Sequence, residues 1–281
     1  MRLVTFLHHS HPTLGIVHGE AVMPVPGLSM LDLITVGQDT LADLNALHRT
    51  AVALAGAQLL APIPNPRRNI FCVGLNYAEH AKESAEARGR EAKIPKVPVF
   101  FTKATHAVNG PYGDIPFDPA VSTQIDWEAE LGVVIGRRGK NISQAEAMSY
   151  VFGYTVINDV SARDLQSAHS QFFKGKSLDG ACPMGPWIVT ADEVADPHTL
   201  GIRCRVNGVI KQEAVTSQMI FKIPALIESL SLGMTLEPGD VIATGTPSGV
   251  GFARTPPEFL KPGDVVECEV DGVGTIRNRV A

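Results

Sequence analysis

Cysteine is scarce in this chain. There are 4 in 281 residues, at positions 72, 182, 204 and 268, with no Cys-x-x-Cys pair. That argues against a zinc–thiolate cluster and a disulfide framework and fits a reducing, cytoplasmic setting. Excess positive charge is also missing. The net charge of −5 leaves no footprint for nucleic acid or an anionic membrane. No apolar run is long enough to span a bilayer, and the longest, 51–62, is broken by Gly56 and Gln58. The opening Met1-Arg2-Leu3-Val4-Thr5-Phe6 alternates like a strand and carries no signal-peptide pattern. The glycine-rich stretch Thr244–Gly251 lacks the Gly-Lys-Ser/Thr ending of a Walker loop and the glycine spacing of a dinucleotide fingerprint. Without a Gly-x-Ser-x-Gly elbow, a serine-hydrolase reading has no nucleophile.

What is present reads as a β-rich α+β protein. Residues 1–65 form a small module, with strands near 2–7 and 14–18 and a helical region over 40–58. Proline-spaced Ala61-Pro62-Ile63-Pro64-Asn65-Pro66 follows as an extended connector. Residues 66–281 are rich in strands and tight turns. Asn207-Gly208 and Asp271-Gly272 predict hairpins, and Pro238-Gly239 and Pro262-Gly263 predict type II turns that each launch a strand. Capping boxes at Ser143 and Ser161 open short helices, and Pro224 to Gly233 bounds another. There is no regular βαβ alternation, which disfavours a doubly wound sheet.

The chemistry concentrates in a few stretches. Asp126-Trp127-Glu128-Ala129-Glu130-Leu131 places acids at alternate positions before an apolar run. On one strand the three carboxylates share a face, repel one another and call for a divalent cation, although an exposed acidic face fits the pattern too. Asp159, after the apolar stretch 154–157, either caps a helix or adds an oxygen ligand to that cation. His80 and Glu83 share a helix face, so the carboxylate can orient the imidazole as a general base; a solvated charged helix has the same spacing. Lys174 or Lys176, on a glycine-containing segment, can neutralise a carboxylate or a developing enolate. Amides of the Thr244–Gly251 loop, with Thr246, can hold a carboxylate. His8, His9 and His11 sit at a turn and read as solvent-exposed.

Together these pieces resemble the fumarylacetoacetate hydrolase family, from about residue 70 to the C-terminus. The likeness lies in Gly74-Leu75-Asn76-Tyr77 with His80 and Glu83, the Asp-x-Glu-x-Glu strand, and Asn158-Asp159 with Ala162-Arg163-Asp164. It continues through Gly175-Lys176-Ser177 with Asp179, Asn207-Gly208 with Gln212, and Thr244-Gly245-Thr246-Pro247. Leu178 stands where the family often has Phe, which puts little in doubt. The short leading module resembles that of compact bacterial members. The resemblance implies a mixed β-sandwich roll as the catalytic domain, with Mg²⁺, or Mn²⁺ or Ca²⁺ in its place, held by Glu128, Glu130 and Asp159. It makes Lys176 the active-site lysine, His80 and Glu83 a dyad on a lid, and Arg163, Gln166 and Thr246 substrate contacts, and it leaves Asp126 outside the ligand set. The activity it implies is metal-dependent hydrolysis of a carbon–carbon bond in a β-diketo acid such as an acylpyruvate. Oxaloacetate decarboxylation and hydroxymuconate-type isomerisation or tautomerisation are alternatives on the same metal; a non-catalytic metal-binding protein is a third. A homodimer acting on a small diketo acid, with neither nucleic acid nor membrane as partner, completes the expectation.

Overall fold

The computed structural model describes residues 1–37, Leu44 and 50–281. The alternating leader becomes three antiparallel strands, β1 (Arg2–His8), β2 (His11–His18) and β3 (Ala21–Val25). His9 and Ser10 make the first turn with positive φ; His9 and His11 are exposed and His8 is half-buried. Helix α1 (Met30–Val36) follows, closed at its start by a reciprocal Ser29–Asp32 capping box. The sequence analysis missed it although Ser-x-x-Asp is its signature. Of the helix expected over 40–58, Leu44 is helical, and the part from 52 on is corrected. Residues 40–43 and 45–49 lie outside the described residues, but Val52–Ala53 is β4 beside β3, Leu54–Gly56 is one 3₁₀ turn, and Leu59–Leu60 is β5 beside β1. Strand pairing overrides the weak helix preference of this stretch, which Gly56 lowers further.

The remaining chain supplies β6 (Ile70–Gly74), α2 (Ala78–Ala87), β7 (Val99–Lys103), β8 (Val108–Asn109), β9 (Ile125–Asp126), β10 (Ala129–Ile135), α3 (Gln144–Ala147), β11 (Val151–Asn158), β12 (Ser161–Ala162), α4 (Arg163–Ala168), α5 (Phe173–Lys176) and β13 (Cys182–Thr190). After these come β14 (Gly201–Val206), β15 (Val209–Val215), α6 (Ile223–Ser231), β16 (Val241–Ala243), β17 (Val265–Val270) and β18 (Gly274–Arg279). One large sheet runs β4-β3-β2-β1-β13-β11-β10-β16-β6-β7, so the leading strands continue the sheet of the main body through β1 against β13. It is mixed, because β16 lies parallel to β6. A four-stranded sheet, β15-β14-β17-β18, packs on one side of it. The fold is thus α+β and β-rich.

Strands β10 and β11 are buried at every residue, which explains their unbroken apolar runs. Leu131, Val133 and Ile135 point into the core shared with Ile202, Cys204, Val266 and Cys268 of the four-stranded sheet, whereas Val134 points to the core shared with α1 and the leading strands. The predicted turns form. Asn207 and Gly208 both have positive φ (53° and 78°) in the β14–β15 hairpin, and Gly239 and Gly263 sit at 89° and 95° ahead of β16 and β17. Pro224 lies in the first turn of α6, and Gly233 follows its end at φ 75°.

Three local expectations are corrected. The Asp126–Glu130 stretch is not one strand: β9 ends at Asp126 and β10 begins at Ala129. Asp126 Oδ1 accepts from its neighbour's amide, Trp127 N, at 2.8 Å, a local bond that competes with the strand ladder. Ser161 does not cap α4; it belongs to β12, and its hydroxyl donates to the Asp159 carbonyl at 2.9 Å. At Ser143 the hydroxyl donates to the Glu146 carboxylate rather than accepting from its amide, and α3 lasts only to Ala147 before a 3₁₀ turn. Among the described residues no helix is long and apolar enough to cross a membrane. All four cysteines are buried and free.

Candidate metal and catalytic site

Topology brings the acids together. Strands β10 and β11 are antiparallel with Ala129 opposite Asn158, so the start of one and the exit of the other share a sheet end. The exits of β16 and β6 lie at that end too. Glu128, Glu130 and Asp159 are all buried and offer carboxylate oxygens within 4.8 Å of one another. Backbone contacts fix them there: Asp159 N donates to Glu128 O at 2.9 Å, and Glu128 N donates to Asn158 Oδ1 at 3.0 Å.

Cations balance most of this charge. Lys176 Nζ lies 2.6 Å from both Glu128 Oε2 and Asp159 Oδ2. Lys103 Nζ donates to Asp159 Oδ1 at 2.7 Å and to Val160 O at 3.0 Å. Arg163 pairs with Asp126 at 2.8 Å and with Glu128 at 2.7 Å. Burial would raise the Glu128 pKa, but Lys176, then Arg163 and His80, hold it well below the carboxylate range. Burial would lower that of Lys176, and Asp159 and Glu128 more than reverse it, so it stays an ammonium. Glu130 differs. It accepts from Gly245 N at 2.8 Å but has no cation at ion-pair distance among the described residues. Burial, then Asp159 and Glu128, push its pKa well above the ordinary value.

That imbalance is what a cation would relieve. Oxygen-only donors suit a hard divalent ion, and oxygens bound at roughly 2.0–2.6 Å to one centre must lie within about 5 Å of each other, as these do. The residues present therefore fit such an ion.

The dyad forms as well. His80 Nδ1 is 2.9 Å from Glu83 Oε1, near the start of α2, which leaves the other ring nitrogen free to act in the cleft. Gly249 N donates to both Glu83 oxygens at 2.9 and 3.0 Å. The glycine-rich loop thus holds carboxylates, but they are the protein's own: Gly245 N serves Glu130, Gly249 N serves Glu83, and Gly251 N and Phe252 N serve Asp126. Gly249 is required, since φ is 103° and a Cβ would fall 2.1 Å from Lys211 O. Thr246 Oγ1 donates to Ala129 O at 2.9 Å and accepts from Gln212 Nε2 at 2.7 Å.

A narrow cleft opens onto this cluster. His80, Glu128, Glu130, Arg163, Gln166, Lys176 and Thr246 all reach it, while Glu83 and Asp159 support from behind. Lys174 is exposed and opens on a different hollow, so Lys176 is the lysine of this site. Sequence reasoning missed Lys103, fully buried at the end of β7, and the aromatic walls Phe101, Phe172 and Phe252. Lys103 is 56 residues from Asp159, and nothing in its surroundings in the sequence marks the pairing.

A family model described as fumarylacetoacetate (FAA) hydrolase C-terminal matches residues 69–281. An oxaloacetate tautomerase of Bacillus subtilis (strain 168) is 47% identical over 91% of this chain and 87% of its own length. Among solved structures, a fumarylacetoacetate hydrolase from Exiguobacterium antarcticum matches with TM-score 0.88 and 39% identity, over 100% of this chain and 99% of that one. A maleylpyruvate hydrolase from Sphingobium sp. SYK-6, solved with manganese(II) and pyruvate, matches with TM-score 0.81 and 30% identity at the same coverage.

Proposed function

This chain belongs to the fumarylacetoacetate hydrolase family, and on that premise we propose that it is an enzyme interconverting the keto and enol forms of an oxaloacetate-type 2-oxo acid. One observation carries the reading: three buried carboxylates lie within 4.8 Å of one another, bridged in part by Lys176, and two of them, Glu128 and Glu130, face the same cleft as His80. The similarity to an oxaloacetate tautomerase moves this chemistry ahead of the carbon–carbon hydrolysis favoured by the sequence analysis. Mg²⁺ is the ion we propose for Glu128, Glu130 and Asp159, with Mn²⁺ or Ca²⁺ as substitutes; when bound it supplies Lewis-acid polarisation of the 2-oxo group. The chain's own residues do the rest. His80, held by Glu83, takes the proton that leaves C3 and delivers it to the 2-oxygen, and the reverse reaction runs the same transfer backwards. The Lys176 ammonium favours negative charge on the neighbouring oxygen. Arg163 and Gln166, linked at 3.0 Å, and Thr246 orient the acid, while Phe101, Phe172 and Phe252 limit water. A homodimer in the cytoplasm belongs to the same proposal.

The dyad also suits a second reading. His80 can deprotonate water for attack on the distal carbonyl of an acylpyruvate, which is the hydrolytic reaction. One experiment separates the two. Enol-oxaloacetate absorbance is followed with Mg²⁺ or Mn²⁺, with and without chelator, and acylpyruvates are incubated in ¹⁸O-water. Tautomerisation predicts metal-dependent enol decay without pyruvate release. Solvent oxygen in an acid product would assign hydrolysis, and pyruvate and carbon dioxide from oxaloacetate would assign decarboxylation. His80→Gln should lower the rate about 10²–10⁴-fold.

A further inference from the structure

Helix α2 carries more than the dyad. His80, Ser84 and Arg88 are spaced four apart, so they share one face, and all three line the cleft. His80 and Ser84 are buried, whereas Arg88, at the end of the helix, is exposed at the rim. Its guanidinium lies 5.2 Å over the Phe252 ring, and Arg163 lies 4.4 Å from the same ring. The two guanidinium carbons are therefore no further apart than those distances together, roughly 10 Å. Arg163 is spoken for by Asp126 and Glu128. Arg88 is not: it makes no side-chain hydrogen bond or ion pair with any described residue. Partial burial, then the charges of Arg163 and Arg90, hold its pKa below the ordinary arginine value. A guanidinium with no partner in the described protein, on a ring at the cleft rim and facing the inner site, is set up to receive an anion from outside.

We propose that Arg88 is a specificity-determining residue that takes the distal carboxylate of the substrate, so that this cleft selects 2-oxo diacids over 2-oxo monoacids. The inference rests on the functional reading above. The proximal carboxylate and oxo group go inward to Lys176 and the acid cluster, and the second carboxylate meets Arg88 across Phe252. A monoacid leaves Arg88 unanswered and gains nothing from it.

The test separates this claim from turnover. 3,3-Dimethyl-oxaloacetate, the free diacid, and trimethylpyruvate differ by one carboxylate in place of one methyl, and neither can enolise. Each is titrated calorimetrically into Mn²⁺-loaded wild type, Arg88→Gln and Arg88→Lys. The expected result is tighter binding of the diacid by wild type, a loss of about 10- to 100-fold for the diacid alone in Arg88→Gln, and partial recovery in Arg88→Lys. Equal binding of both acids by wild type, equal weakening of both in Arg88→Gln, or binding of neither would overturn it. Selective binding in a protein that never tautomerises oxaloacetate would uphold Arg88 and sink the proposed reaction instead.

Discussion

Two ion-pair networks in this molecule have nearly the same bond lengths and opposite surroundings. On the outward face of the four-stranded sheet, Arg203 meets Glu213 at 3.0 Å, Asp271 at 2.7 Å and Glu269 at 3.7 Å, and Arg205 meets Glu269 at 2.6 Å. At the end of the large sheet, Lys103, Lys176 and Arg163 meet Asp126, Glu128 and Asp159 at 2.6–2.8 Å. The first network is reached by solvent, which screens each pair and leaves it worth little. The second has side chains at most 6% exposed, so each ion has lost its water and depends on its partners. A fold does not need such a cluster for stability, because well-packed apolar groups would serve as well or better. Distance alone thus does not distinguish a structural ion pair from a functional one; burial together with an unbalanced charge, here that of Glu130, does.

Substitutions can break or sharpen the contrast. The largest effect is expected at the unbalanced acid. Glu130→Ala should abolish Mn²⁺ binding in a titration, and chelation of the wild type should remove turnover, while no surface acid does either. Next is Lys103→Met, which leaves Asp159 Oδ1 without its ammonium while Lys176 still holds Oδ2, and should cost about 1–3 kcal/mol in urea unfolding, with part restored by Mn²⁺ as a substitute positive charge. In metal-loaded protein, Lys176→Ala should lower kcat about 10²–10³-fold with the circular dichroism spectrum retained. At the small end, Arg203→Ala should cost at most about 1 kcal/mol, an effect that fades in high salt, and leave turnover unchanged. A large, salt-resistant loss at Arg203 would erase the distinction between the two networks.

Features legible in the sequence were those carried by near neighbours. His80 and Glu83 meet because a helix turn brings residues three apart together. Asn207-Gly208 turns because both residues tolerate positive φ. Glu128 and Glu130 are two apart and do come together, although Glu128 lies just before β10 and is held by the Asn158 side chain rather than by the strand ladder. Where tertiary bonds compete, local periodicity misled. The amides of Gly251 and Phe252 fix Asp126 from 125 and 126 residues away, and the alternation from Asp126 to Glu130 breaks at Trp127. Val52–Ala53 and Leu59–Leu60 became strand because β3 and β1 offered edges to pair with.

By itself the sequence settled the inventory: a β-rich chain, its turns, a histidine beside a glutamate, acids two apart, and a lysine on a glycine-containing segment. Those follow from backbone sterics and short-range spacing, which each stretch carries with it. Tertiary structure alone decided which charges lost their water, which were answered by Lys103 and Arg163, and which, at Glu130 and Arg88, were left open toward the cleft. Desolvation and Coulomb balance depend on everything packed around a group, and that set exists only once strands distant in the chain lie side by side.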